Sequence, residues 1–178
     1  MSGAAWLILG CAPAADPSPP APSSKNTAAE DEAYVAFRTA HENSPKIPKM
    51  IVRLARRHLE AGEYLLTRFY CDEYRRDYPS GPDRDTIEYL RIKAEMLRAG
   101  TEHDEGMMQQ AEAEAKQFLA TFRRSPYRKK IRQLLDELHT RQNARYEKLA
   151  RYYEKRGKPK AAAFYREKIK IPSNPTVP

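Results

Sequence analysis

The sequence predicts an all-α protein in which helices form antiparallel pairs that stack side by side. Apolar residues recur at helical spacing, as at Tyr146 and Leu149, which places them on one stripe of a helix. A glycine then ends the stripe, as Gly157 does. The same arrangement recurs around Gly62 and Gly100. We therefore expect about three helix pairs.

The paired units have the offsets of tetratricopeptide repeats. In the last unit, the small residues Ala150 and Ala162 let two helices approach closely, and Pro159 starts the second helix. The corresponding core places around Gly62 are held by Ile51, Leu54, Ala55, His58, Thr67, Cys71, Tyr74 and Pro79. The predicted fold is a tetratricopeptide-like helical superhelix of about three pairs, with an amino-terminal capping helix.

An apolar segment directly precedes Cys11, and we interpret residues 1–10 as a signal peptide. The sequence Ile8-Leu9-Gly10-Cys11 resembles a bacterial lipobox, in which a peptidase cuts before the cysteine and the thiol receives a diacylglycerol. We therefore predict lipidation of Cys11, against the alternative of a chance cysteine. In the sorting rule that this resembles, Ala12 at the next position points to the outer membrane.

Proline, alanine and serine dominate the segment that follows, and prolines stand at positions 13, 17, 19, 20 and 22. Such a composition cannot bury a core, so residues 11–27 are predicted to form an extended tether. At ~3.1 Å per residue, it would hold the folded part some tens of Å from its anchor. Residues 28–178 then form the repeat domain.

The predicted helices begin with the capping helix at residues 28–42. The three pairs occupy residues 49–61 and 64–78, residues 83–99 and 107–124, and residues 127–156 with a last helix ending by Pro172. Residues 100–106 are polar and are predicted to be a loop inserted within the second pair. The long helix at residues 127–156 is expected to pack against more than one neighbour.

The charge balance is basic, with 32 Lys and Arg against 24 Asp and Glu and a net charge of +8. This suits an acidic partner or an anionic membrane surface, with nucleic acid as the alternative. Basic residues alternate with glutamates, as in Glu154-Lys155-Arg156, which is more typical of a solvated helix surface than of a nucleic-acid site.

No motif for catalysis, phosphate binding or zinc binding is present, so we expect a protein without enzymatic activity, cofactor or metal. His103, Asp104 and Glu105 are adjacent, and adjacent residues rarely converge on one ion, so they are expected in a solvated loop. His58 and Cys71 occupy core positions of the repeat and are expected simply to pack.

A binding surface remains, because the first helices of stacked repeats line a concave wall. The groove-facing offsets pick out Lys49, Val52, Arg56 and Leu59 in the first pair, Ile87, Leu90, Ala94 and Leu97 in the second, and Glu147, Arg151 and Glu154 in the third. The first helix of the second pair is apolar on two opposite faces. Either it lines an open apolar groove, or the capping helix or the inserted loop covers it.

Two stretches resemble the BamD/YfiO/ComL-like outer-membrane assembly lipoproteins. One is EYLLTRFYCDEYRRDYPSGP at residues 63–82, with its Tyr-Pro-x-Gly-Pro turn. The other spans residues 114–169 and contains the Tyr-Tyr-x-x-Arg-Gly motif that ends at Gly157. The similarity extends over about residues 45–169.

This resemblance implies a non-enzymatic lipoprotein on the periplasmic face of the outer membrane. It implies partners of three kinds: unfolded outer-membrane proteins, the periplasmic domains of the barrel-forming assembly subunit, and other assembly lipoproteins. Arg56, Leu59, Leu90 and Leu97 would then be substrate-side, and the predicted partner-side set is Glu147, Arg151, Tyr152, Glu154 and Arg156.

Two alternatives remain open at this point. One is a periplasmic repeat lipoprotein that scaffolds cell-wall or division proteins. The other, which requires an unmodified Cys11, is a basic helical protein that binds nucleic acid.

Overall fold

The computed structural model describes residues 25–102 and 104–169, which fold into seven α-helices. Short turns join them, so that helices adjacent in sequence pack together and run antiparallel. This confirms the predicted all-α, tetratricopeptide-like class. In chain order the helices are α1 (Lys25–Ala40), α2 (Ile47–Glu60), α3 (Tyr64–Asp77), α4 (Arg84–Glu102), α5 (Glu105–Thr121), α6 (Arg128–Lys155) and α7 (Pro159–Glu167).

The turns inside the first and last pairs share one geometry. Gly62 and Gly157 adopt φ angles of 76° and 67°, in the left-handed region that a residue with a Cβ rarely enters. The amide that follows each glycine donates back into the preceding helix, from Glu63 to the His58 carbonyl and from Lys158 to the Tyr153 carbonyl. These glycines therefore end α2 and α6, as the sequence pattern predicts.

Helix α4 lies at the centre of the stack, where it packs against α2, α3, α5 and α6. Ile87 and Ile92, on different sides of this helix, are 0% and 1% exposed. Its two apolar faces are therefore covered by neighbouring repeat helices. Within the described residues, α1 makes no contact with α4, so the capping helix is not its cover.

Helix α1 closes the amino-terminal side of the first pair, in the place expected of a capping helix. The Tyr34 hydroxyl donates a 2.6 Å hydrogen bond to Glu73, and the Tyr70 hydroxyl donates one of 2.7 Å to Asp31. Burial raises the pKa of Tyr34 to about 12. Both tyrosines therefore remain neutral donors that bind α1 to α3.

The predicted loop at residues 100–106 is wrong. Helix α4 continues through Gly100 to Glu102, and α5 already begins at Glu105. The Asp104 side chain caps α5 by accepting a 3.0 Å hydrogen bond from the Met107 amide. A glycine inside a helix weakens it without ending it, and an N-cap aspartate needs no long loop before it. The position of His103 lies outside the described residues.

Helix α6 has 28 residues, close to the predicted length. It packs against α4 and α5 and contributes Ile131, Leu135 and Leu138 to the core, and among the described residues α6 is the helix that α7 packs against. The small side chains of Ala150 and Ala162 are 2% and 1% exposed, which agrees with a close approach of these two helices. In the described part of the chain, no helix has the length and hydropathy needed to cross a membrane.

Candidate binding groove

A groove of about 260 Å³ opens on the wall that the first helices of the three pairs form. Helices α2, α4 and α6 all contribute, because α4 packs between the other two. We refer to this feature as the wall groove. Its lining consists of Arg56, Leu59, Glu60, Tyr89, Leu90, Lys93, Leu97, Tyr127 and Lys130.

Leucines and stacked tyrosines form the apolar part of the wall groove. Leu90 is 4% exposed and forms its base, while Leu59 and Leu97 are half-buried at its sides. The rings of Tyr89 and Tyr127 stack at a centroid distance of 4.5 Å and an angle of 11°. The groove therefore offers a flat aromatic surface beside aliphatic side chains, which suits apolar side chains of an extended ligand.

Cations surround this apolar surface. The Lys130 ammonium lies 5.7 Å from the centroids of both stacked rings, and Arg56 donates a 3.4 Å hydrogen bond to the Tyr127 hydroxyl. Burial raises the pKa of Tyr89, and the neighbouring Tyr127 adds to that effect. With Lys93 also in the lining, basic residues outnumber the single carboxylate of Glu60 in the lining of the wall groove. A ligand with carboxylates or backbone carbonyls beside apolar residues fits these charges.

The structure brings together four of the eleven residues that the sequence assigns to groove-facing positions, and none from the third pair. Arg56, Leu59, Leu90 and Leu97 all line the wall groove. Ile87, Ala94 and Val52 are instead core residues, with exposures of 0%, 1% and 9%. Lys49 is exposed, outside the lining of the wall groove.

Sequence reasoning missed Tyr89, Lys93, Tyr127 and Lys130. Helix α4 carries apolar residues on two faces, so periodicity does not decide which apolar stripe faces the groove. The groove-facing offsets select Ile87 and Ala94 on this helix and leave out Tyr89. In the third pair, the offsets counted from Gly157 select residues near the end of α6. The α6 side of the groove is instead formed by residues at the start of this helix. The available signal was Tyr127 itself, an aromatic residue between Pro126 and the start of the long helix.

The predicted partner-side residues form a separate exposed surface at the far end of α6. Glu147 and Arg151 pair at 3.3 Å, Glu154 pairs with Arg166 of α7, and the Arg156 guanidinium lies 4.8 Å from the ring centroid of Tyr152. Seventeen residues separate Lys130 from Glu147, which is ~25 Å of helix. These residues therefore belong to a second surface, distinct from the wall groove.

His58 packs as predicted, and it has partners that the sequence did not reveal. It is 0% exposed and stacks on Tyr70 at 5.2 Å. Its ring nitrogens lie 2.6 Å from a Glu63 oxygen and 2.9 Å from an Asp31 oxygen. His58 therefore joins α1 to the α2–α3 turn.

Reactive or metal-binding chemistry finds no support in the described residues. Cys71 is fully buried, and burial raises the pKa of its thiol, which disfavours the nucleophilic thiolate. Within residues 25–102 and 104–169, no group of three His, Cys, Asp or Glu side chains is placed to hold a metal ion. Cys11 lies outside the described residues.

Comparison with known proteins gives one family and one curated relative. The family model described as YfiO, outer membrane lipoprotein, matches residues 22–170. The chain is similar to the outer membrane protein assembly factor BamD of Helicobacter pylori, with 26% identity over 146 residues. That match covers 81% of this chain and 66% of the relative, just under two thirds of the relative's length.

Proposed function

The chain belongs to the YfiO family of outer membrane lipoproteins, and we propose that it is a non-enzymatic assembly subunit that binds unfolded outer-membrane proteins. The wall groove is the observation that carries this proposal. It combines an apolar base, stacked tyrosines and a basic surround on one wall of the stack. An extended strand with alternating apolar side chains and a polar backbone matches that combination.

The second surface is proposed to contact the rest of the assembly machinery. Tyr152 is 47% exposed on α6, and Phe164 is 52% exposed on α7. Exposed aromatic and arginine side chains are common at the centres of protein interfaces. We assign this surface to the periplasmic domains of the barrel-forming subunit, with other assembly lipoproteins as further partners.

Binding to the wall groove is tested with Leu97→Asp and an unfolded outer-membrane protein in a fluorescence anisotropy titration. We expect the affinity to fall by about tenfold or more, because a carboxylate replaces an apolar contact beside the groove. Leu65→Asp is the matched control, since Leu65 is 66% exposed on α3, outside the groove lining. Unchanged affinity of the Leu97 variant, with helical content intact, would refute the groove assignment.

Arg56→Glu provides a second groove variant in case Leu97→Asp does not fold. Arg56 is exposed, so reversing its charge leaves the core unchanged. Leu90 is unsuitable for this purpose, because at 4% exposure an aspartate there would be buried and would unfold the helix stack.

Lipidation of Cys11 is proposed to anchor the chain to the outer membrane on its periplasmic face. Mass spectrometry of the protein purified from native membranes tests this directly. We expect an amino terminus at Cys11 that carries acyl chains. An intact, unacylated Met1 would overturn the anchor and the localisation that depends on it, while leaving the groove test unaffected.

A further inference from the structure

A cluster of cations occupies the end of the stack at which α4 and α6 begin. The α3–α4 and α5–α6 turns meet there, and the Ser125 hydroxyl donates a 2.7 Å hydrogen bond to Asp85 that holds them together. A shallow depression of about 590 Å³ lies between the two turns and includes Arg84, Arg123 and Arg124 in its lining. With the neighbouring Lys129, these three arginines make up what we call the basic end.

The charges of the basic end are poorly neutralised by the protein itself. Arg123, Arg124 and Lys129 are exposed, and none of them pairs with a carboxylate of residues 25–102 or 104–169. The nearby Asp85 keeps its negative charge, since its donor Ser125 is neutral, and it offsets one of these four cations. The first turn of α6 contains no acidic residue that could pair with them. These cations repel one another in the free protein, and an anionic partner would offset that repulsion.

We propose that the basic end docks on the anionic phospholipid headgroups of the membrane that carries this lipoprotein. The inference rests on the outer-membrane location given under the proposed function. A membrane fits better than an acidic protein because these cations are exposed on two neighbouring turns, outside the wall groove and its apolar lining. Each Lys or Arg near an anionic membrane surface adds a favourable electrostatic contribution.

The predicted tether is long enough for this orientation. Contacts of Asp31 with Tyr70 and of Arg38 with Asp77 show that α1 runs parallel to α3, so α1 begins at the end opposite to Arg84. The 14 residues of α3 span ~21 Å. Residues 11–24, at ~3.1 Å each in an extended form, reach ~40 Å. An anchor at Cys11 therefore permits the basic end to rest on the same membrane.

Vesicle flotation of the full chain with Cys11→Ser tests the proposal without any lipid anchor. The vesicles contain phosphatidylethanolamine and cardiolipin at a ratio of about four to one, and neutral phosphatidylcholine vesicles serve for comparison. We expect binding to the cardiolipin vesicles that weakens as salt is added. Arg123→Glu combined with Arg124→Glu should reduce that binding by about tenfold or more.

The matched control reverses two exposed lysines at the α6–α7 turn, Lys158→Glu and Lys160→Glu. It changes the net charge by the same amount, and its binding should stay within about twofold of the parent chain. An equal loss in this control would show that only net charge matters and would overturn the proposal. Failure of the parent chain to bind cardiolipin vesicles would also overturn the proposal, and it would favour an acidic protein as the partner. Because the chain is unlipidated and the groove is untouched, these results are independent of the tests of the proposed function.

Discussion

Gly81 shows how one residue of the Tyr-Pro-x-Gly-Pro turn is fixed by its surroundings. A Cβ at this position would overlap the ring and hydroxyl of Tyr74. Tyr74 is 0% exposed, and its hydroxyl accepts a 3.2 Å hydrogen bond from the Asp83 amide just before α4. The small residue therefore lets the turn close over a buried tyrosine that positions the central helix.

Gly81→Ala should destabilise the protein by about 1–3 kcal/mol, because the added methyl group displaces a ring that has no free space. Ser80→Ala in the same turn is the control and should change stability by less than about 0.5 kcal/mol, since Ser80 is exposed. Urea unfolding followed by circular dichroism measures both. Equal stability of the Gly81 variant and the parent would mean that the turn moves freely away from Tyr74.

Glu105 links α5 to the last helix pair. Its Oε1 accepts hydrogen bonds of 2.8 Å from Lys168 and 2.9 Å from Tyr146. These bonds lower the pKa of the Glu105 carboxyl, that from Lys168 more than that from Tyr146. A carboxyl with a depressed pKa stabilises the fold above its unfolded pKa of about 4.3, and the benefit disappears as the pH falls through the lower folded value.

Glu105→Gln is therefore expected to lower the melting temperature at pH 7 and to lose that difference below about pH 4. The effect at pH 7 should be at most about 1 kcal/mol, because the carboxylate is partly exposed. Glu137→Gln, at an exposed position on α6, provides a control without a pH-dependent difference. If the Glu105 variant still melted at a lower temperature than the parent at low pH, the destabilisation would come from packing instead of charge.

At the scale of the elements, sequence reasoning predicted the helices whose ends carry clear chemical signals. Gly62 and Gly157 ended helices as predicted because both need positive φ. Gly100 did not, because it lies inside α4 with the Arg141 side chain 3.1 Å from its would-be Cβ. A glycine in a helix and a glycine after a helix look alike in one sequence, and the tertiary contact decides between them.

Helices α6 and α7 depend on small residues for their contact. Ala162→Leu should destabilise this pair by about 1–3 kcal/mol, because Ala162 is 1% exposed and faces α6. Ala163→Leu adds the same volume at an exposed position and should have little effect. Hydrogen exchange of the α7 amides measures the local opening. Equal protection of α7 in both variants would contradict the close approach of the two helices.

At the scale of the whole molecule, stacking decided which predicted groove residues became accessible. The repeat offsets place α2 and α4 on one wall, and four of the residues that they select, Arg56, Leu59, Leu90 and Leu97, line the wall groove. The rotation of α4 was not predictable, because it is packed by four neighbours and carries apolar residues on two of its faces. Ile87 and Ala94 therefore lie in the core, and Tyr89 lines the groove.

The wall groove and the basic end separate two tasks in one stack. The wall groove lies on the α2–α4–α6 face, whereas the basic end lies where α4 and α6 begin. A chain docked on a membrane by the basic end would leave the wall groove open to the side. Ligand binding in the groove and membrane docking at the end are then compatible in one molecule.

The central claim is that the wall groove receives unfolded outer-membrane proteins, and site-specific photo-crosslinking in living cells tests it most directly. A photoreactive residue replaces Lys93, which is half-buried in the groove lining, or Leu65, which is exposed on α3. The account predicts crosslinks to newly secreted outer-membrane proteins from position 93 and few or none from position 65. Crosslinks from position 65 alone, with none from position 93, would contradict it.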